Sequence, residues 1–196
     1  RLKGEITMAN TNNANNVTAG KPKIGGAVYR APKGTTLPTD ATSALAAEFK
    51  CLGYCSEDGL SNGNDRSNSN VAAWGGDVVL NMTNAGSDTF TLTLIETLNE
   101  EVLKTVYGSD NVTTALEGKD ITVSVNGGSD EENVYVFELI LKDGALKRIV
   151  VPCASVTALG EIKYIDTDAV GYNITLTTVN DSKGNSHYEY IHLKSE

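Results

Sequence analysis

Few residues in this chain have a type and spacing that could do chemistry. His187 and His192 are the only histidines. They lie five apart on a segment that reads as a strand, so they point to opposite faces and do not make a metal pair. Cys51, Cys55 and Cys153 are an odd set. A disulfide framework needs more cysteines, and a cysteine-only metal site would lack a fourth ligand. They read as reduced, partly buried thiols. No serine sits in a Gly-x-Ser-x-Gly elbow, and no phosphate loop is present. The carboxylates Glu57-Asp58 and Asp130-Glu131-Glu132 fall in turn-like segments and read as solvated loops. Glycosidase pairs can be far apart in sequence, but nothing favours one here. The Asn-rich run Asp58–Asn70 lacks the Asp-x-Asp-x-Asp-Gly spacing of a calcium loop. Asn16, Asn81, Asn111 and Asn173 each open an Asn-x-Thr sequon, which an Asn- and Thr-rich chain yields by chance. No catalytic residue, cofactor or metal is assigned, and the chain is not read as an enzyme.

The elements that would carry any site are mostly strands. Ala27–Arg30 reads as a strand that leaves into an extended loop at Pro32, Gly34 and Pro38. Thr42–Glu48 is Ala-rich and predicts one or two helical turns. Phe49–Tyr54 predicts a strand, Ser56–Gly59 a turn, and Ser61–Ala73 a long polar segment with no core pattern. Asp77–Thr83 sets Val78, Leu80 and Met82 against Asn81 and Thr83. After a turn at Asn84–Ser87, Thr89–Ile95 alternates Phe90, Leu92 and Leu94 with Thr89, Thr91 and Thr93. The two are expected to form a hairpin with one dry face and one threonine face. One helix stands out, with Thr97 and Glu100 as a capping box and Leu98, Val102, Leu103, Val106 and Tyr107 as its stripe, stopped by Gly108. It is expected to cover an open side of the β structure. Ile121–Val125 predicts a strand. Tyr135, Phe137, Leu139 and Leu141 form an apolar face before the tight-hairpin signal Asp143-Gly144. Leu146–Val151 returns until Pro152 interrupts it, and Ala154–Ile165 follows as a further strand. Tyr172–Val179 and His187–Leu193 are expected to make a last hairpin across Asn180–Ser186.

At 196 residues the chain can build one good-sized core. Abundant Thr, Val, Asn and Gly suggest an all-β chain with many turns. Uninterrupted apolar runs are only a few residues long, too short for a membrane-spanning helix. The formal net charge of -9 argues against tight binding to phosphate backbones, which needs clustered Lys and Arg. It does not argue against DNA that must slide past. Leu2–Gly20 has no apolar stretch of the leader-peptide kind. Met8-Ala9 reads as a natural start, because Lys3-Gly4-Glu5 can be encoded as a purine-rich ribosome-binding sequence. Residues 1–7 are therefore expected to lie upstream of it, the rival being an N-terminus trimmed from something longer. Residues 1–22 are expected to be a flexible arm, and 23–196 a single domain.

The stretch Gly25–Leu80 resembles the major tail tube proteins of long-tailed (siphovirus-type) bacteriophages. The likeness rests on AVYRAPKGTTLPTD, the LGYCSEDGLS segment and Trp-Gly-Gly-Asp leading into a strand. It continues in PCASVTALGEIKY at Pro152–Tyr164 and AVGYNITLTT at Ala169–Thr178. The resemblance implies a β-sandwich with one flanking helix, assembled as a ring-shaped β-barrel. It also implies hexameric rings stacked into a virion tail tube that conducts DNA, with subunits soluble in the host cytoplasm before assembly. Tape-measure and tail-terminator proteins are the implied partners, with no specific DNA binding and no membrane. The alternative is an immunoglobulin-like decoration or adhesion domain on a virion or cell surface. Asp65, Arg66, Asn70, Trp74 and Asp77 are the candidate inter-ring or inter-subunit contacts. Asn81, Thr83, Thr89, Thr91 and Thr93 are the candidate lumen face, with a net negative lumen expected. Trp74, the only tryptophan, reads either as a core anchor or as an interface anchor.

Overall fold

The computed structural model describes residues 12–65, 68–83, 86–127 and 130–194. In chain order the strands are β1 (Lys21–Pro22), β2 (Val28–Pro32), β3 (Lys50–Cys51), β4 (Cys55–Asp65), β5 (Asn68–Ala72), β6 (Val78–Thr83) and β7 (Ser87–Leu94). Helix α1 (Glu100–Tyr107) comes next. It is followed by β8 (Val112–Ala115), β9 (Asp120–Val123), β10 (Asn133–Ile140), β11 (Leu146–Leu159), β12 (Tyr172–Thr178) and β13 (Tyr188–His192). Nine strands form one antiparallel sheet in the order β3-β2-β10-β11-β12-β7-β4, with β1 on β10 and β13 on β11. Strands β5–β6 and β8–β9 make separate two-stranded ribbons.

This sheet folds over on itself. Strands β7 and β10 are separated by two others, which in a flat sheet puts them roughly 14 Å apart. Yet the Phe90 and Phe137 rings stack at 5.3 Å. The bend is made along β11, whose ladder to β10 slips between Asn133 and Tyr135 and whose ladder to β12 slips between Val156 and Ala158. Pro152, which has no N–H to give a ladder, sits at the first slip, so the strand continues through it to Leu159. Leu146–Val151 and the start of Ala154–Ile165 are therefore one strand, and residues beyond Leu159 leave the sheet.

Inside the fold lie Phe90, Leu92 and Leu94 of β7, Tyr135 and Phe137 of β10, Ile149 and Val151 of β11, and Ile174 and Leu176 of β12. Helix α1 closes this core with Val102, Leu103 and Val106. Its cap is Asn99, whose side chain accepts from the Glu101 N–H at 3.0 Å, and not Thr97. The helix therefore starts later than the sequence pattern suggests, and Leu98 is left exposed. Gly108, at φ 93°, ends it by donating to the Lys104 carbonyl at 2.9 Å.

The other face of β10 and β11 is buried too. Val134, Val136 and Val150 pack with Ala31 and Phe49 under the loop that follows β2. That loop has no helical turn at Thr42–Glu48. It is tied down by Arg148, which is 1% exposed. Its guanidinium donates to the carbonyls of Asp40 and Ser43 at 2.7 and 2.8 Å and pairs with the buried Glu138 opposite it on β10. A loop held by a buried cation needs no helix to satisfy its carbonyls.

Other pairings differ from expectation. The predicted strand at Phe49–Tyr54 is only Lys50–Cys51, and the turn at Ser56–Gly59 is a bulge inside β4, where the register with β7 jumps from Cys55 to Leu60 and Gly59 has φ 73°. Strand β6 pairs with β5, and β7 pairs with β4 and β12, so Asp77–Thr83 and Thr89–Ile95 are not partners. The polar Ser61–Ala73 is mostly strand, since a ladder partner matters more to it than an apolar face. Strands β12 and β13 lie end to end along one edge of β11 instead of forming a hairpin. The Lys142–Gly144 turn does close a tight hairpin, with Asp143 and Gly144 at φ 58° and 78°.

Candidate functional site

The alternation in β7 gives the first surface. Thr89, Thr91 and Thr93 face away from the core. They continue sideways onto β12, where Thr177, Thr175 and Asn173 stand opposite them in register. Asn173 donates to the Thr93 hydroxyl at 2.9 Å, and the Thr91 and Thr175 hydroxyls are 3.2 Å apart. Thr157 of β11 meets Thr177 at 2.7 Å. On the other side Thr89 donates to the Gly63 carbonyl of β4 at 3.3 Å. A Cβ at Gly63 would come within 2.9 Å of that hydroxyl, so the close approach needs glycine. The result is a four-stranded hydroxyl and amide face. Asn173, Thr175 and Thr177 were not singled out from the sequence, although their alternation with Ile174 and Leu176 was there to read.

Strands β4, β7, β12 and the 155–159 part of β11 contain no Lys or Arg. Their exposed charges are Glu57, Asp58 and Asp65. The half-sheet has two open edges among the described residues. One is the outer side of β4, which pairs only with β7; the other is 155–159, beyond the last β10 pair at Asn133 and Ala154.

At the border of this face Asp88 is buried, 3% exposed. It accepts from Asn62 and Ser186, both at 2.7 Å, and pairs with His187. Burial pushes its carboxyl up, but the donors Ser186, Asn62 and His187 outweigh burial and hold it below the usual range. The set is no Ser-His-Asp relay, because Ser186 and His187 both address the same Asp88 oxygen. A lowered folded pKa gives stability that is full above about pH 4 and lost as the pH falls through the folded value. Asp88→Asn is expected to cost on the order of 1–3 kcal/mol at pH 7 and to flatten the acid branch of the pH–stability curve, read by denaturant titration.

The second surface is an arm. Strands β5 and β6 pair with each other as a ribbon separate from the main sheet, and their tip is the turn Ala73–Asp77. There the Ala73 N–H donates to the Asp77 carbonyl at 2.8 Å, with Gly75 and Gly76 at φ 122° and 98°. Every described side chain from Asn70 to Met82 is exposed. Trp74 stands fully exposed at the tip, and Val71, Val78, Val79, Leu80 and Met82 are each about half exposed. The core reading of Trp74 is thus overturned. Free subunits are expected to emit like indole in water, open to acrylamide quenching, with a blue shift only on polymerisation. Blue-shifted emission from the monomer would contradict the exposed tip.

The arm also divides the candidate residues. Asn70 and Asn81 are a register pair on it, Thr83 is its last ladder position, and Asp77 is at its tip. Asp65 stands at its base, opposite Ser87. Arg66 lies outside the described residues. Asn81 and Thr83 are therefore on a different ribbon from Thr89, Thr91 and Thr93. The run Val78-Val79-Leu80 was the available signal, since consecutive apolar residues in a two-stranded ribbon must expose one face or the other.

The remaining groups are structural. Glu131 is half-buried and accepts from the Ser109 N–H and hydroxyl at 2.8 and 2.9 Å; Glu132 pairs with Lys33. The acidic loop is thus anchored rather than simply solvated. Burial raises the Cys55 thiol to about 11. No group of three or more metal-ligating side chains is gathered among the described residues, and none of their helices is long and apolar enough to cross a membrane.

An all-β chain whose main unpartnered features are a bare sheet face, open strand edges and an apolar arm is of the class of structural assembly proteins. The chain belongs to the phage tail tube protein family, whose profile matches residues 8–195. It is therefore a structural protein of the phage tail, and so of the virion, whose family assembles into a tube with other tail proteins. A search among curated proteins found no match.

Proposed function

We propose that this chain is the subunit of a siphovirus-type tail tube. In this reading, six copies close into a ring, the folded-over sheet acts as a β-sandwich, and rings stack into a hollow tube that conducts DNA into the host. Tape-measure and tail-terminator proteins would be its neighbours, and no catalysis is involved.

The observation that carries the reading is the hydroxyl face on a half-sheet without Lys or Arg. DNA carries one negative charge per about 1.7 Å of axis, and a basic wall would hold it by many phosphate contacts. A wall of hydroxyls and amides rimmed by Glu57, Asp58 and Asp65 is wet, non-adhesive and repulsive at its edges. The lumen face in this reading is Thr89, Thr91 and Thr93 with Asn173, Thr175, Thr177 and Thr157.

The two open edges support ring closure. The four strands alternate in direction, so β4 of the next copy would meet residues 155–159 antiparallel, and the alternation continues around a ring. Six copies supply roughly 24 strands. At about 4.8 Å spacing and about 40° tilt they close at a backbone diameter of roughly 48 Å, or about 38 Å after side chains. Three copies would leave about 14 Å, narrower than a duplex.

Cryo-electron microscopy of concentrated protein is the test. The expected result is a tube of uniform bore whose inward side chains are uncharged or net negative. A lumen rich in Lys and Arg would overturn the repulsion argument, and protein that stays monomeric would overturn the tube.

A further inference from the structure

The chain contains two Asn-Gly pairs, Asn62-Gly63 and Asn126-Gly127. Such a dipeptide can rearrange without an enzyme, because glycine has no Cβ to hinder its nitrogen from reaching the asparagine side chain. What decides is whether the surrounding backbone is free to close a succinimide ring. Asn62-Gly63 is not. Both residues lie inside β4, in register with Phe90 and Thr89 of β7. The Asn62 amide donates to Asp88 Oδ1 at 2.7 Å and to the Thr89 carbonyl at 3.0 Å. Ring closure there would break the ladder and pull the amide off the buried Asp88.

Asn126-Gly127 lies beyond the end of β9, where the ladder to β8 has stopped at Val112 and Val123. Both residues are exposed. Gly127 is at φ 93°, with nothing within 4 Å of where a Cβ would stand. Among the described residues, none accepts from its N–H. The Asn126 side chain is held by a reciprocal amide pair. Asn111 Nδ2 donates to Asn126 Oδ1 at 3.1 Å, and Asn126 Nδ2 donates to Asn111 Oδ1 at 2.9 Å. That clasp occupies the oxygen and nitrogen of the Asn126 amide and leaves its carbon open. The bond to Oδ1 also favours the negative charge this oxygen carries once the carbon is attacked.

We propose that Asn126 is a site of spontaneous covalent modification, its amide converting to aspartate and isoaspartate through a succinimide. The Gly127 nitrogen gives its proton to hydroxide and attacks Asn126 Cγ. The Cγ–Nδ2 bond breaks, and ammonia leaves with a proton from water. A further water opens the ring at either carbonyl, giving aspartate or isoaspartate. The product carries a carboxylate in place of a neutral amide and, as isoaspartate, an extra backbone carbon before Gly127. The clasp loses its Asn126 Nδ2 donor and so its tie to Asn111, which also donates to the Tyr107 carbonyl at the end of α1 at 2.6 Å. A protein of the virion is not replaced after assembly, so the conversion accumulates with the age of the particle.

The test needs no variant. Wild-type protein is kept in mildly alkaline buffer, one sample folded and one in concentrated urea. Both Asn-Gly peptides are followed by mass mapping, and isoaspartate is counted by enzymatic methylation. In urea the two sites are expected to convert at similar rates. In the folded subunit Asn126 should stay within about tenfold of its urea rate, whereas Asn62 falls behind its own by on the order of 100-fold or more, the protection of a closed ladder. Asn126 protected as strongly as Asn62 overturns the proposal. So does Asn62 converting as fast as Asn126 in the folded subunit.

Discussion

Deleting residues 68–83 is expected to leave a folded subunit that no longer elongates. The cut removes β5, β6 and the Trp74 tip, and joins the chain across positions 67 and 84. Neither core cluster contains a residue from this segment. The arm's ladder is internal to it, and its apolar side chains face solvent. Stability should therefore change by no more than about 0.5 kcal/mol, as for other surface changes. Assembly is another matter. An aromatic anchor buried at an interface contributes about 2–4 kcal/mol, which raises the critical concentration for growth roughly 30- to 1,000-fold. The readouts are the urea midpoint and sedimentation of polymer. A deletion that unfolds the subunit, or one that sediments like wild type, defeats the expectation. The boundaries matter: a cut at 61–73 would strip Ser61–Asp65 from β7 and expose its ladder, confusing folding with assembly.

Arg148→Ala is expected to cost about 3–5 kcal/mol, the range for breaking a buried pair by removing one partner. It leaves Glu138, 4% exposed, with Lys23 as its remaining cation. It also frees the carbonyls of Asp40 and Ser43, so the loop over Val134, Val136 and Val150 loses its tie. Urea unfolding should show a lower midpoint, with the slope reporting whether the loop opens in the native state. The double variant Arg148→Met with Glu138→Leu should recover much of the loss, because a matched apolar pair removes both buried charges. If the double variant is as unstable as the single one, the loop carbonyls rather than the ion pair dominate.

Acid exposure works on a separate part of the fold. Asp88 ties the base of the arm, through Asn62, to Ser186 and His187 just before β13. Its protonation should loosen that junction before the core is reached.

Much of this protein was legible in the chain alone. The threonine alternation in Thr89–Ile95, the apolar face of β10, the Asp143-Gly144 turn and the helix stripe are local patterns, and side-chain period is a local property. They led to an all-β protein with one helix, whereas the resemblance to tail tube proteins rested on other stretches, Ala27–Asp40, Leu52–Ser61 and Trp74–Asp77 among them. What the chain could not show was partnership. Whether Asp77–Thr83 pairs with the strand after it or the one before it depends on which ladder the fold makes available, and the body gives β7 to β4 and β12. Whether Glu138 and Arg148 face water or a loop depends on segments a hundred residues away. Trp74 reads more readily as core than as an exposed interface anchor from its neighbours, because an aromatic residue next to two glycines carries no information about what lies opposite and large aromatics are buried more often than not. Exposure is decided by the rest of the chain, and the rest of the chain leaves that tip bare.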